Sequence, residues 1–489
     1  MINELSTIRQ LLNQFNNSIR YCHWKSNQHF HDALLGIDDL DILIDRKQYA
    51  EVVKLLGDLN FKRFYIPASR MYVGIEDYLG FDAATGKIFH LHLHSQMMLG
   101  EKHLKGIHFP IEDWLLSRRR WDEEHGAYLT TYFDELLLLI LRTGIKIRKR
   151  NILSSKVLGN SSMREYQWLL DNCNDFDAQL ESVDWLTDRI KQMVKNIHQT
   201  GFSWLKCMKL KCYIYSDLAI YSRGCGVSNT FERNKRELQR IVMELKKRSG
   251  KSSYSFLRRR LATGGLTIAF LGSDGAGKSS SISEIYSWLN KMMDVRYFYL
   301  GSGDGPVSIL RAPVKLALKI AQTFGVVKKA NNFKEDIKPH QSKNKKLGLA
   351  RKLWIYTLSR ERVGRLKKAN RCRMRGFIVL TDRYPQTEFE GACDGKRLAG
   401  QKGLVARKED ESFRLASLCP PDIVIKLIVS PEVACSRKPG EIDPETSAML
   451  TERIKNIKFS DKTVSVQINS DQAQEKVWLD IKNAIWNNL

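Results

Sequence analysis

The clearest candidates for chemistry lie in LTIAFLGSDGAGKSSS, Leu266 to Ser281. Gly272, Gly277, Lys278 and Ser279 satisfy the pattern G-x-x-x-x-G-K-[ST]. In such a loop the successive backbone N–H groups of Gly275 to Lys278 wrap a phosphate chain, and glycine lets the backbone come close to it. The N-terminus of the following helix adds partial positive charge. Lys278 is placed to bridge terminal phosphates, and the Ser279 hydroxyl to sit on Mg²⁺. The expected binding stretch is Gly272, Ser273, Asp274, Gly275, Ala276, Gly277, Lys278, Ser279 and Ser280. A ligand-free glycine turn is the competing reading. It is disfavoured because the six residues before the loop form a buried-strand pattern and Ile282, Ile285, Trp288, Leu289 and Met292 follow at helical spacing.

A second cluster lies near the start of the chain. Asp39-Leu40-Asp41-Ile42 places two carboxylates at i and i+2, on one face of a strand, where they can hold a divalent cation. The later strand KIFHLHLHSQ turns His90, His92 and His94 onto one face. Imidazoles so spaced suit Zn²⁺ or another borderline metal. A metal held by Asp39, Asp41 and His92, with or without the other histidines, is one expectation. A half-buried strand whose histidines bond to their neighbours is the other.

The elements that must position these groups follow from pattern. A chain of 489 residues suits two or three domains. The polar start MINELSTIRQLLNQFNN has the pattern of a helix and not of a signal peptide. A helix over Gln48 to Asp58 and a strand over Lys62 to Ile66 are expected, with an apolar helix around Leu136 to Leu141. Helical periodicity then dominates in Glu165 to Asp171, Trp185 to Ile197 and Phe231 to Lys247. After the phosphate loop, strands are expected at VRYFYL, GFIVLTD, Ile423 to Val429 and Thr463 to Ile468. A basic helix with Leu353, Trp354, Thr357 and Leu358 on its apolar side spans Leu347 to Arg375, and a closing helix spans Asp471 to Trp486. Strand–helix alternation implies a parallel sheet with helices on both faces. The turn Gly301 to Gly305 would then line the site at the carboxyl ends of the strands. The fold class is α/β multidomain, divided at 1–150, 151–262 and 263–489.

Composition limits the partners. The net charge of +25 calls for an anionic partner: phosphates, nucleic acid, an acidic glycan or a membrane surface. The basic segment 307–346 adds to that charge. No apolar run in the first half is long enough to span a bilayer, and a cytoplasmic protein is expected. The 9 cysteines form no CxxC pair, which favours reduced thiols; Cys207, Cys212 and Cys225 read as small buried side chains.

Two resemblances refine this. LGSDGAGKSS, LWIYTLSRERV, VLTDRYP and PDIVIKLIVSPEVACSR occur in the order found in the thymidylate kinase family of P-loop kinases. That resemblance implies ATP and Mg²⁺ as cofactors, held by Lys278 and Ser279, with Asp274 as the acid common in the family's loop. It implies Arg383 and Tyr384 on the acceptor side, Asp382 near the metal, Arg360 on the substrate-side helix and Arg437 on a lid. The loop has no arginine of its own, so Arg437 is expected to neutralise the transferred phosphoryl group, with Lys438 beside it. The sequence departs from the family at GSGDG, at PQTEFEGACDGKRLAGQKG and in the basic insertion. Gly36, Asp39-x-Asp41 and the following strand–helix–strand resemble the nucleotidyltransferase fold superfamily, with Lys25-Ser26-Asn27 in place of the usual glycine turn and no third acid evident. These imply an ATP-dependent kinase for a nucleoside monophosphate or related anionic acceptor, fused to a nucleotidyltransferase-like domain and a helical connector. A kinase for a sugar or glycan, and a nucleic-acid-binding or regulatory ATP-binding protein, are the alternatives.

Overall fold

A helical stretch that is apolar on every face must be buried, and the first half of the chain is built around one, residues 136–141. Tyr132–Lys146 (YFDELLLLILRTGIK) is covered along almost its whole length, and Thr131 caps it by accepting a hydrogen bond from the Asp134 N–H. The computed structural model describes residues 4–101, 103–148, 157–224, 226–249, 256–301, 349–440 and 442–489. The chain divides into two compact units, Met1–Leu257 and Arg258–Leu489. It is a mixed α/β structure. No helix among the described residues is long and apolar enough to cross a membrane.

In the first unit the strands are β1 (Tyr21–His23), β2 (Leu40–Ile44), β3 (Lys62–Tyr65), β4 (Ile75–Asp82), β5 (Lys87–His94), β6 (Met97–Glu101), β7 (Leu104–Phe109), β8 (Arg120–Asp122) and β9 (Ala127–Leu129). Their order across the main sheet is β3-β4-β5-β2-β1-β9-β8, and β6 pairs with β7 apart from it. The central pair β2 and β5 is parallel; β4 joins β5 as an antiparallel hairpin. The helix Ser6–Ser18 buries Ile8, Leu11, Leu12 and Phe15 in one core with Leu40, Ile42 and Leu91. The buried helix Tyr132–Lys146 shares a second core with Leu169, Ile190, Val194, Leu210 and Ile214, so the helices of residues 160–217 pack within this same unit.

The second unit is organised on parallel strands, whose burial on both faces makes them read as continuous apolar runs. After the two-residue β10 (Arg260–Leu261) come β11 (Leu266–Gly272), β12 (Val295–Tyr299), β13 (Ile378–Asp382), β14 (Ile423–Ile428) and β15 (Val464–Asn469). The last five form one sheet in the order β12-β13-β11-β14-β15, all parallel. Ala269 and Leu271 face a core with Leu366, Ala416, Val424 and Ile454. Ile268 and Phe270 alternate to the opposite face, where the helices Lys278–Asn290 and Gln474–Asn487 pack together.

Some expectations need correction. In the basic helix, Leu349–Arg373, Leu353 is 48% exposed, while Ile355, Leu358, Arg362, Leu366 and Ala369 are buried. The buried stripe keeps Leu358 but is rotated from the one expected, because the helix packs against the helix Leu404–Leu418 as well as the sheet. Cys207 is buried, but Cys212, five residues on along the same helix, is exposed. Cys225, the segment 307–346 and all of Gly301–Gly305 beyond Gly301 lie outside the described residues.

Phe270, with 0% exposure at the sheet centre, sets a first test. Phe270→Ala is expected to lower the unfolding free energy of the second unit by about 3–5 kcal/mol, measured by chemical denaturation.

Candidate functional site

In the second unit three strand ends lie level. Phe270 is opposite Asp382, and Asp382 is opposite Tyr299. The Gly272–Ser279 loop leaves β11 at this edge, where open parallel sheets gather ligands. Gly275 and Gly277 have φ of +85° and +79°, a region costly for other residues. A Cβ on Gly275 would also lie 2.8 Å from the Ala434 carbonyl oxygen. Ser273 Oγ lies 3.2 Å from Thr451 Oγ1, and Ser470 Oγ donates to the Ala276 carbonyl at 2.8 Å, which fixes the loop from behind.

Lys278 begins the helix Lys278–Asn290. Its ammonium donates to the Gly272 and Ser273 carbonyls, each at 2.8 Å, and is nearly buried. Burial, and then the Arg383 charge, lower its pKa from 10.5 to about 8. Asp382 is buried too, and one oxygen, Oδ1, has no hydrogen-bond partner; burial raises its pKa. Arg383 sits at φ +65° and reaches both ways, to Asp274 at 3.2 Å and Asp394 at 3.3 Å. The Asp394 carboxylate holds its pKa above the usual value. Arg437 donates to the Gly275 carbonyl at 3.4 Å and to the Ser470 carbonyl at 2.9 Å.

These side chains surround one cavity of about 590 Å³. It is lined by Asp274, Lys278, Ser279, Ser280, Asp382, Arg383, Arg437 and Lys438, together with the aromatic pair Tyr297 and Tyr299. Five expected residues do not line it: Gly272, Ser273 and Ala276 of the loop are buried, and Arg360 and Tyr384 lie elsewhere. Arg360 is exposed and stands over Tyr356 of its own helix at 5.9 Å. Tyr384 is buried in the core, with its hydroxyl donating to the Cys419 carbonyl. The same helix sends Arg362 inward instead. Its guanidinium bonds the Leu300 carbonyl at 3.0 Å and Asp394 at 2.9 Å. The helical spacing from Ile355 through Ser359 to Arg362 is the signal that marks it.

In the first unit, Asp41, His92 and Asp77 stand in one row across β2, β5 and β4. Asp41 gives one oxygen to Lys25 at 2.7 Å; its other oxygen, Oδ1, is buried without a hydrogen-bond partner, 3.3 Å from His92 Nδ1 and 3.4 Å from His94 Nε2. His90 lies between Asp39, at 2.8 Å from Nδ1, and Asp77, at 2.7 Å from Nε2. Asp77 is thus a third acid in this cluster that sequence reading missed. The register of the β4–β5 hairpin, Asp82 opposite Lys87, carries Asp77 to His92. The turn after β1 is held from inside the protein: Glu135 accepts from the Asn27 N–H at 3.0 Å and from Asn27 Nδ2 at 2.7 Å, and Ser26 takes φ 58°.

Asp394 is 3% exposed on its side chain and faces both Arg362 and Arg383. Removing one member of a buried ion group leaves the rest uncompensated. Asp394→Ala is expected to cost about 3–5 kcal/mol in chemical denaturation, and Asp394→Asn less.

No family model matches the chain. It is 29% identical over 181 residues to the Uncharacterized ATP-binding protein YghR of Escherichia coli K12, covering 35% of this chain and 68% of that protein. It is 30% identical over 183 residues to the Uncharacterized ATP-binding protein YghS of the same strain, covering 35% of this chain and 73% of that protein. Through about a third of its length, the chain belongs to the family of the Escherichia coli ATP-binding protein YghS.

Proposed function

We propose that the second unit is an ATP- and Mg²⁺-dependent phosphotransferase of the thymidylate kinase type. The observation that carries this is the convergence of Lys278, Ser279, Asp382, Arg383 and Arg437 on one cavity at the strand ends. The relatives' names, which say ATP-binding, support the donor half. The buried, unpartnered Asp382 Oδ1 suits a divalent cation beside the Ser279 hydroxyl. Catalysis would rest on positioning and on neutralising charge. Lys278 and Arg437 take the donor phosphates, and Arg383 takes the anionic group of the acceptor. Mg²⁺, when bound, draws charge from the phosphate oxygens. We read the first unit as a nucleotidyltransferase-like core followed by a helical subdomain.

One observation favours a second acceptor class. Gln386 spends its whole amide on its own loop, donating to the Phe389 and Ala392 carbonyls at 2.9 Å each and accepting from the Glu388 and Phe389 N–H groups at 2.7 and 2.8 Å. It is therefore occupied and does not read a nucleobase. A sugar or glycan hydroxyl is the alternative acceptor.

ADP release and phosphorylated product, followed across dTMP, other nucleoside monophosphates and phosphate-free sugars, test this reading. Lys278→Ala is expected to lose at least about 10²-fold in turnover, and unchanged turnover would sink both kinase versions. A lysine pKa near 8 has a further consequence. Phosphate charge favours the ammonium form, so ATP binding at pH 8 should take up protons. Calorimetry in buffers of different ionisation enthalpy measures that uptake, and Lys278→Met should abolish it. The sign for stability follows as well. The unfolded chain binds the extra proton between about pH 8 and 10.5, so this lysine's contribution to stability rises with pH across that window.

A further inference from the structure

We propose that the first unit binds one borderline first-row divalent cation, of the Zn²⁺ class, on Asp39, His90 and His92. One ligand atom from each lies within 4.8 Å of the others. The strands bring them together. Asp39 immediately precedes β2; His90 and His92 project from one face of β5, which is its parallel neighbour. The two imidazole rings are 4.0 Å apart between centroids. This set differs from the one expected from sequence: His90 takes the place of Asp41, whose two oxygens face Lys25 on one side and His92 and His94 on the other.

Three features point to a cation rather than to a self-contained hydrogen-bond cluster. First, His90 Nε2 faces Asp77 at 2.7 Å. With the ring proton on that nitrogen, Nδ1 turns a lone pair toward the Asp39 carboxylate at 2.8 Å. A carboxylate behind a ligating histidine is how proteins fix its tautomer and raise its basicity. Second, the buried Asp41 carboxylate stands beside the ligands, with its Oδ1 3.3 Å from His92 Nδ1 and 3.4 Å from His94 Nε2. A buried carboxylate next to the ligands adds negative charge that favours a cation there. Third, the donor set is chemically selective. Two imidazoles and one carboxylate favour zinc-class ions over Mg²⁺, which takes oxygen ligands and keeps its waters. Three protein ligands also leave coordination positions open, as catalytic metal sites do.

Asp39 is about half exposed on its side chain, at 48%, so its replacement should spare the fold. The full chain, stripped with chelator and titrated with Co²⁺ in the absence of nucleotide, should show one equivalent of d–d absorption. One equivalent of Zn²⁺ should displace it, and excess Mg²⁺ should not. Asp39→Asn and His92→Gln should each weaken Co²⁺ binding at least about 10-fold, with circular dichroism unchanged for Asp39→Asn; Asp77→Asn should weaken it by about 10–100-fold through the imidazoles it backs. The inference is overturned if the wild-type chain gives no stoichiometric spectrum, if Asp39→Asn binds Co²⁺ as tightly as wild type, or if Mg²⁺ competes on equal terms.

Discussion

The second unit depends on a single buried carboxylate. Asp394 stands between Arg362 and Arg383, with its side chain almost wholly out of water. Three charges in such a place hold one another, since any one alone would be too costly to bury. Arg362 also ties to the Leu300 carbonyl just past β12. Arg383 ties to the phosphate loop through Asp274. The same carboxylate therefore joins the end of β12, the end of β13 and the loop after β11. The backbone is bent to serve this arrangement: Arg383, Cys393 and Asp394 all take positive φ, at 65°, 48° and 63°. Non-glycine residues hold such angles only where their surroundings over-determine them, and such places cluster at functional sites.

Much of this was legible in the sequence wherever the signal was local. The Gly272–Ser279 loop, its strand and its helix are one contiguous pattern, so the residues and their spacing announce them. Asp382, Arg383 and Arg437 could be placed because each lies at the end of a recognisable strand or helix. What was not legible depends on pairing at a distance. Asp394 lies in an irregular stretch whose role appears only when the two arginines arrive. Arg360 and Arg362 differ only by helical phase, and that phase is set by the sheet and the neighbouring helix it packs against. Tyr384 follows Asp382 and Arg383 in sequence, yet the chain turns its ring into the core. Asp77 needed the hairpin register. Asp39, Asp41 and the histidines were visible as a cluster, but the choice between Asp41 and His90 rests on which groups, Lys25, His92 and His94, face the Asp41 oxygens.

The two units handle charge in opposite ways. The cavity of the second unit is rich in cations, with Lys278, Arg383, Arg437 and Lys438 against Asp274 and Asp382. The cluster of the first unit is built of carboxylates and imidazoles: Asp39, Asp41, Asp77, His90, His92 and His94. The cationic arrangement suits phosphate; the other suits the cation proposed for it. Both hold a buried carboxylate at their heart, Asp382 in one and Asp41 in the other.

The contact between Gly275 and Ala434 bears on how the nucleotide site can move. A Cβ on Gly275 would meet the Ala434 backbone at 2.8–2.9 Å, and Arg437, one turn further along the Pro431–Arg437 helix, bonds the Gly275 carbonyl. Loop and helix are thus meshed like two gear teeth, at the backbone as well as through the side chain. A lid arginine on a free arm would swing in from solvent; this one is geared to the loop it serves. Parting the loop from the helix would break the bonds from Arg437 to the Gly275 and Ser470 carbonyls.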